Sequence, residues 1–200
     1  GDMGKYQGTV SINGKPVVMK TTQQALDLGV GYLPRNRKEN GIIKDMNILE
    51  NGSIVTLPRL TKFGLIKAKE QLEQFHQQRK NLLIKMENDT DSITSLSGGN
   101  QQKVVIARSL STSPKVVILD EPTRGIDAAA RADVYAIIRQ LKDAGVAVLM
   151  VSSDIEEVVE LSDRAITVFQ GRINGEFGRD EITQDVLTSA SFGIAQERTV

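Results

Sequence analysis

The sequence contains no cysteine, no tryptophan and a single histidine, His76. Without cysteine there are no disulfides, no thiolate zinc sites and no thiol nucleophile. One imidazole excludes a multi-histidine metal centre. Aromatic residues make up 4% of the chain, too few for stacking on single-stranded bases to be its main business. No sign of charge dominates either, because 25 Lys and Arg balance 25 Asp and Glu. That argues against a strongly basic nucleic-acid binder or a polybasic membrane-surface protein. No apolar run reaches the roughly 18 residues that indicate a membrane span. The start, Gly1-Asp2-Met3-Gly4-Lys5, does not read as a signal peptide. What is present is 200 residues, 40% of them hydrophobic. A chain of that length makes one domain or one and a fraction, and buries about 70% of its unfolded surface.

Local pattern divides the chain. Residues 8–18 alternate around Asn13-Gly14 and predict a hairpin. Thr22 to Leu28 predicts a short helix closed by Gly29, and Val30 to Leu33 a strand stopped by Pro34. Arg35 to Asp45 reads as polar loop. Met46 to Leu57 and Leu65 to Met86 read as helices, the second with Ala68, Leu72, Phe75, Leu82, Leu83 and Met86 mostly at helical spacing. A further helix starts at Ser97-Gly98-Gly99 and runs to about Ser111. Beyond it stand three apolar runs, Val116 to Leu119, Val146 to Val151 and Ala165 to Phe169. Such runs suit parallel strands buried on both faces. Helices at 127–144 and 154–161 separate them, with Asp154-Ile155-Glu156-Glu157 as a capping box. Residues 116–170 therefore read as a β-α-β-α-β core of a doubly wound α/β fold. A short strand at 172–177 and a helix at 180–190 follow, and then a polar tail.

In open α/β sheets ligands bind at the carboxyl ends of strands. The first core strand ends Leu119-Asp120-Glu121-Pro122. An apolar strand ending in two acids supplies a magnesium-associated Asp in phosphate-hydrolysing enzymes. One carboxylate is enough, because Mg²⁺ completes its shell with waters and phosphates. The neighbouring Glu121 is placed to orient or deprotonate a water. For these two acids alone, a strand running into a capped turn is an equal reading. Ser97-Gly98-Gly99 opens a helix whose free amides and dipole attract phosphate, and glycines allow close approach. The two elements follow each other directly, and the pair is more specific than either part.

Leu96-Ser97-Gly98-Gly99-Asn100-Gln101-Gln102-Lys103 followed by Val116 to Asp127 resembles the ATP-binding-cassette (ABC) family. The first segment resembles its signature motif, the second its Walker B strand and D-loop. The form Asn100-Gln101-Gln102-Lys103 and the turn Thr123-Arg124-Gly125-Ile126-Asp127 look like the second cassette of tandem-cassette monosaccharide importers of the ribose and galactose type. Tyr32 to Lys38 resembles the Q-loop region, and Val151 to Arg164 the switch region. The resemblance covers nearly the whole chain. It implies a P-loop NTPase-like cassette with a parallel core sheet, a small antiparallel hairpin region and a helical subdomain, incomplete at the N-terminus. The implied parts are 1–34 (hairpin region and Q-loop strand), 35–112 (helical subdomain with signature helix), 113–170 (RecA-like core) and 171–200 (C-terminal hairpin and helix). It implies ATP and Mg²⁺ as cofactors. Ser97, Gly98, Gly99, Asn100, Gln101 and Asp127 then belong to the nucleotide interface, Asp120 to the metal, and Glu121 and Ser153 to catalysis. The implied partners are a second cassette upstream on the same polypeptide, a membrane permease and, indirectly, a sugar-binding protein. No nucleic acid is implied. The implied location is peripheral, on the cytoplasmic face of the cell membrane, with the helices between Met46 and Met86 docking the permease.

Three features depart from the family pattern. The 200 residues contain no G-x-x-x-x-G-K-[ST], and Gly1 to Tyr6 reads as loop. Either the chain is cut before the P-loop or it is a natural half-site. A sheet without its early strands is expected to expose edges and apolar faces. Ser153 stands where the family often has His, and a hydroxyl cannot carry an imidazolium charge. Arg35 stands where the family has Gln or Glu, and arginine has no acceptor for a metal, so the solvated reading is preferred there. Two other functions stay open. One is a non-catalytic module that only completes a partner's ATP site. The other is a DNA-repair or chromosome ATPase, disfavoured by the neutral charge and the short helical span.

Overall fold

The turn residues of the first hairpin set its geometry. Asn13 and Gly14 both take positive φ, 52° and 73°, the requirement of a two-residue turn that matches strand twist. They join β1 (Val10–Ile12) to β2 (Lys15–Val17), with Val10 opposite Val17. The computed structural model describes residues 7–194. The loop read at Gly1 to Tyr6 and the end of the polar tail lie outside them.

Helix α1 (Thr22–Asp27) is capped by the Thr21 side chain and stops at Gly29, φ 82°. Strand β3 (Val30–Leu33) follows. The Gly29 carbonyl accepts from the amides of Lys115 and Val116, which starts the parallel register Val30–Val116 to Leu33–Leu119. The expected loop after β3 is not wholly irregular, since Arg37–Gly41 forms a single π-turn. The segment read as one helix over 46–57 is α2 (Ile48–Ser53), a 3-10 turn and α3 (Leu57–Leu60). Asn47 and Glu50 make the capping box of α2. The next helix begins later than its apolar residues indicate. Leu65 lies in β5 (Leu65–Ile66), paired with β4 (Thr61–Lys62), and α4 spans Ala68–Asn81. Leu83 stands beyond α4 at φ 51°. Phe75 is the buried anchor of α4, and its ring fills the place where a Cβ on Gly52 of α2 would stand.

Helix α5 (Gly98–Leu110) is the centre of the first unit. Val104, Val105, Ile106 and Ala107 are all buried, and Gly31 admits its Ser109 carbonyl close to β3. Strand β6 (Val116–Asp120) lies between β3 and β7 (Ala147–Val151), in the order β3-β6-β7. Helix α6 (Ala128–Asp143) joins β6 to β7. The strands are not buried on both faces. Leu33, Val117 and Leu119 are buried, whereas the alternate residues Tyr32 (53% exposed) and Leu149 (56%) are open. Helices of the described residues cover one face, so the sheet alternates as a half-buried one does.

The chain divides into two compact units with the break after Leu149. In the second, α7 (Ile155–Leu161) is capped by Asp154, whose side chain accepts from the Glu157 amide. Strand β8 (Arg164–Phe169) pairs antiparallel with β9 (Arg172–Gly178) rather than joining β6 and β7. Gln170 and Gly171, both at positive φ, make the tight local turn that commits β8 to its sequence neighbour. A 3-10 turn at Arg179–Glu181 precedes α8 (Gln184–Ser191), so the last helix starts four residues after its expected start. Ala165, Ile182 and Leu187 form this unit's core with Ile155, Val158, Val159 and Phe177 against them.

Candidate functional site

The acids sit where the strand pattern puts them. Asp120 is the last residue of β6 and Glu121 the first of the turn beyond it. Tyr32, alongside on β3, donates its hydroxyl to Oδ2 of Asp120 at 3.4 Å. Desolvation first and then the Asp120 charge raise the tyrosine's pKa, so it stays protonated and a donor at neutral pH. Glu121 has φ 50°, a left-handed conformation that a residue with a Cβ rarely adopts. Such strain concentrates at sites where the surrounding structure holds a side chain in place. Its side chain is 12% exposed, with the Arg35 guanidinium 4.0 Å from the carboxylate. Arg35 is thus exposed, as expected, but its charge stands beside Glu121 rather than out in solvent alone.

Pro122 and Thr123 are buried, and the turn closes through Arg124 N–H to the Glu121 carbonyl and Ile126 N–H to that of Thr123. Asp127 then caps α6, accepting from the Ala130 amide at 2.9 Å. That bond is the first cause of its lowered pKa. Asp127 therefore has a helix-opening task at the surface whatever else it does.

The signature-like helix end is built with equal economy. Ser97 is exposed and caps α5, its hydroxyl accepting from the Asn100 backbone and side-chain amides. The Asn100 oxygen accepts from the Lys85 amide. Gln101 is buried and donates to the carbonyls of Leu96 and Ile93. Its side chain holds the approach to the helix. Gly99 is buried against α6, where a Cβ would lie 2.4 Å from that of Ala130. A Cβ on Gly98 would lie 3.0 Å from Nη2 of Arg37. Both glycines therefore have packing reasons beside the phosphate approach that the sequence offered. Ser153 is exposed in the turn before α7, in the second unit.

The residues fit a Mg²⁺–phosphate group in a limited sense. One carboxylate at a strand end suits an ion that takes the rest of its shell from water and phosphate, and the described residues hold no larger cluster of metal ligands. The amides of α5 begin beside Ser97, at the positive end of a 13-residue helix. Sequence pattern found Asp120, Glu121 and Ser97. It did not find Arg37, Gln102 or Lys103. Lys103 is buried and donates to the Leu83 carbonyl at 2.8 Å and to Asp133 at 3.0 Å. For Gln102 and Lys103 the available signal was a polar residue on a helix otherwise rich in buried apolar ones; Arg37, in the turn after β3, carried none.

Known proteins resemble this chain in sequence and in fold. The family model described as ABC transporter matches residues 1–124. A xylose import ATP-binding protein of Geobacillus kaustophilus is 40% identical over 95% of this chain and 38% of its own length. A ribose import ATP-binding protein of Clostridium perfringens is 39% identical over 97% of this chain and 39% of its own. The chain thus spans well under half the length of the curated relatives it matches. Among solved structures, an ATP-binding cassette of an ABC transporter superposes with a TM-score of 0.77 at 24% identity, covering 94% of this chain and 76% of that one. A dimeric cassette in a post-hydrolysis state, bound to ADP and Pi, gives 0.71 at 21% identity, covering 86% and 74%. The family match over more than half of the residues, with 40% identity to a curated relative along 95% of the chain, means that the chain belongs to the ABC transporter family of ATP-binding cassettes.

Proposed function

We propose that this chain is part of an ATP-hydrolysing subunit that powers import of a monosaccharide through a separate membrane permease. The observation that carries the reading is the 40% identity to a xylose import ATP-binding protein along 95% of the chain. The place this function implies is peripheral, at the cytoplasmic face of the membrane, and no helix of the described residues is long and apolar enough to cross one. A second cassette, a permease and a sugar-binding protein are the partners this function needs.

Asp120 would be the residue that holds Mg²⁺, and Tyr32 donates to one of its carboxylate oxygens. At that place the ion would supply charge neutralisation for the phosphate oxygens. Glu121 takes the proton from the attacking water, from its place in the turn just after the strand end. Ser97, Gly98 and Gly99 offer the N-terminus of α5 to the γ-phosphate of ATP held by the second cassette, with Asn100 and Gln101 bracing that end. Asp127 lies at the seam between cassettes, and Ser153 hydrogen-bonds phosphate as the switch residue. The phosphate-wrapping loop is not among these 200 residues.

The test is ATP hydrolysis by the intact assembly carrying Glu121→Gln. Loss of a general base lowers kcat by roughly 10²–10⁴-fold, with stability unchanged. Hydrolysis at the native rate removes Glu121 from that role. If Ser97→Arg then still abolishes hydrolysis, the chain lends only its helix end to a partner's nucleotide.

A further inference from the structure

One polar connection in the first unit is used by none of these steps. Arg37 is 7% exposed. Its Nη1 donates to Oε1 of Gln102 at 3.3 Å, and its buried Nε has no hydrogen-bond partner. No carboxylate pairs with it among the described residues. A cation removed from water without a counter-ion is costly, so the fold must gain something from its position. Gln102, 2% exposed, uses the other end of its amide to donate from Nε2 to the Pro122 carbonyl at 2.6 Å. Acceptor and donor are both committed, which fixes the amide's orientation. Flipping it would set N–H against N–H and oxygen against oxygen.

Three elements meet there. Arg37 belongs to the turn after β3, Gln102 to α5, and Pro122 to the turn after β6. Nη2 of the same guanidinium lies against Gly98, at the start of α5. Two residues earlier, Arg35 stands beside Glu121. The proline ring locks φ at position 122, and the bond from Gln102 pins the carbonyl that follows. The residue immediately before that clamp is Glu121. A charged donor also polarises the amide it bonds and strengthens what the amide donates onward.

We propose that Arg37 and Gln102 form a positioning relay that holds the Glu121 turn and the N-terminus of α5 in one fixed geometry. The inference rests on Glu121 being the base of the proposed hydrolysis. Arg37 and Gln102 act through the Pro122 carbonyl and the Gly98 backbone, and touch no reacting atom.

The experiment compares Arg37→Met, Arg37→Lys, Gln102→Glu and the Arg37→Met/Gln102→Glu pair with Glu121→Gln in the intact assembly. Gln102→Glu keeps the size and the acceptor for Arg37 but removes the donor to Pro122. Losing one buried hydrogen bond, neutral or charged, is worth up to about tenfold or more. The expected result is a kcat lowered by about that factor for Arg37→Met and Gln102→Glu, with KM for ATP within about twofold. The double variant is no worse than the worse single, and Arg37→Lys keeps most of the rate. Amide exchange gives a reading independent of activity. The Arg124 and Ile126 amides, bonded within the turn, exchange about tenfold faster while Val104 to Ala107 keep their protection. Unchanged exchange and kcat in Gln102→Glu overturn the relay, as does an equal loss of protection along α5. If Glu121→Gln hydrolyses ATP normally, the functional reading fails, and the exchange pattern still decides whether the relay holds the turn.

Discussion

Asp127 shows how much one exposed side chain decides. Its carboxylate accepts from the first free amides of α6, led by that of Ala130, and these bonds favour the charged form. Its folded pKa therefore lies below the ordinary carboxylate value. The folded state binds this proton more weakly than the unfolded state does, so the stabilisation is present above the unfolded pKa. It is lost as pH falls through the lower, folded value. Asn at this position also caps a helix well but does not titrate. Asp127→Asn is expected to flatten the stability profile below about pH 4 while leaving neutral stability little changed, as read from denaturant melts across that range. A profile as steep as the parent's would mean that other carboxylates govern acid unfolding. Residues of this kind were legible because their signals are local. An apolar run ending in Asp120-Glu121, and Ser97 before two glycines, need no knowledge of the rest of the chain. Arg37 and Gln102 were not legible, because their partnership spans 65 positions. Arg35 in a polar stretch gives no hint of Glu121, which only the parallel pairing of β3 with β6 brings near.

Helix α5 meets α6 at one point with no room for a methyl group. At Gly99 a Cβ would come within 2.4 Å of that of Ala130, far inside contact distance, and the helices must part to admit it. Overpacking of this kind costs about 1–3 kcal/mol. Gly99→Ala is therefore expected to destabilise the protein by that amount in chemical denaturation, and Ala130→Gly introduced beside it to recover much of the loss. If the second change recovers nothing, the glycine is needed for its backbone and not for this packing. Where an element's pattern is self-contained, as in the Asn13-Gly14 hairpin or the run from Val104 to Ala107, the sequence predicted it. The misplaced elements each have a competing local cause. Leu65 and Ile66 are apolar enough to extend the α4 stripe, but Phe63 and Gly64 at positive φ turn the chain back into a small hairpin. The run ending at Phe169 reads as a sheet core strand, but the tight turn at Gln170-Gly171 gives it β9 as partner.

At the scale of the whole chain, the two units differ in how much core each owns. In residues 7–149, α5 alone contributes four consecutive buried apolar residues, and β3, β6 and α6 add Leu33, Val117, Leu119, Val134, Ile137 and Ile138. The second unit rests on Ala165, Ile182 and Leu187, and its β8–β9 ribbon leaves Ile166, Val168 and Ile173 open to solvent. An isolated two-stranded ribbon is marginal in water unless something packs on it, and here α7 and α8 do so with few large side chains. Local opening follows buried apolar contact, so the unit with the thinner core opens more often. Amides of the β8–β9 ladder are expected to exchange at least about tenfold faster than those of Val104 to Ala107, a difference of about 1.4 kcal/mol in opening free energy. Native-state hydrogen exchange read by mass spectrometry on peptides from each region measures this directly. Equal rates would mean that the ladder is not the weaker part and opens only when α5 does. A faster ladder would mean that the ribbon of the second unit, which carries Ser153 on the segment before it, loosens while α5 of the first unit stays formed.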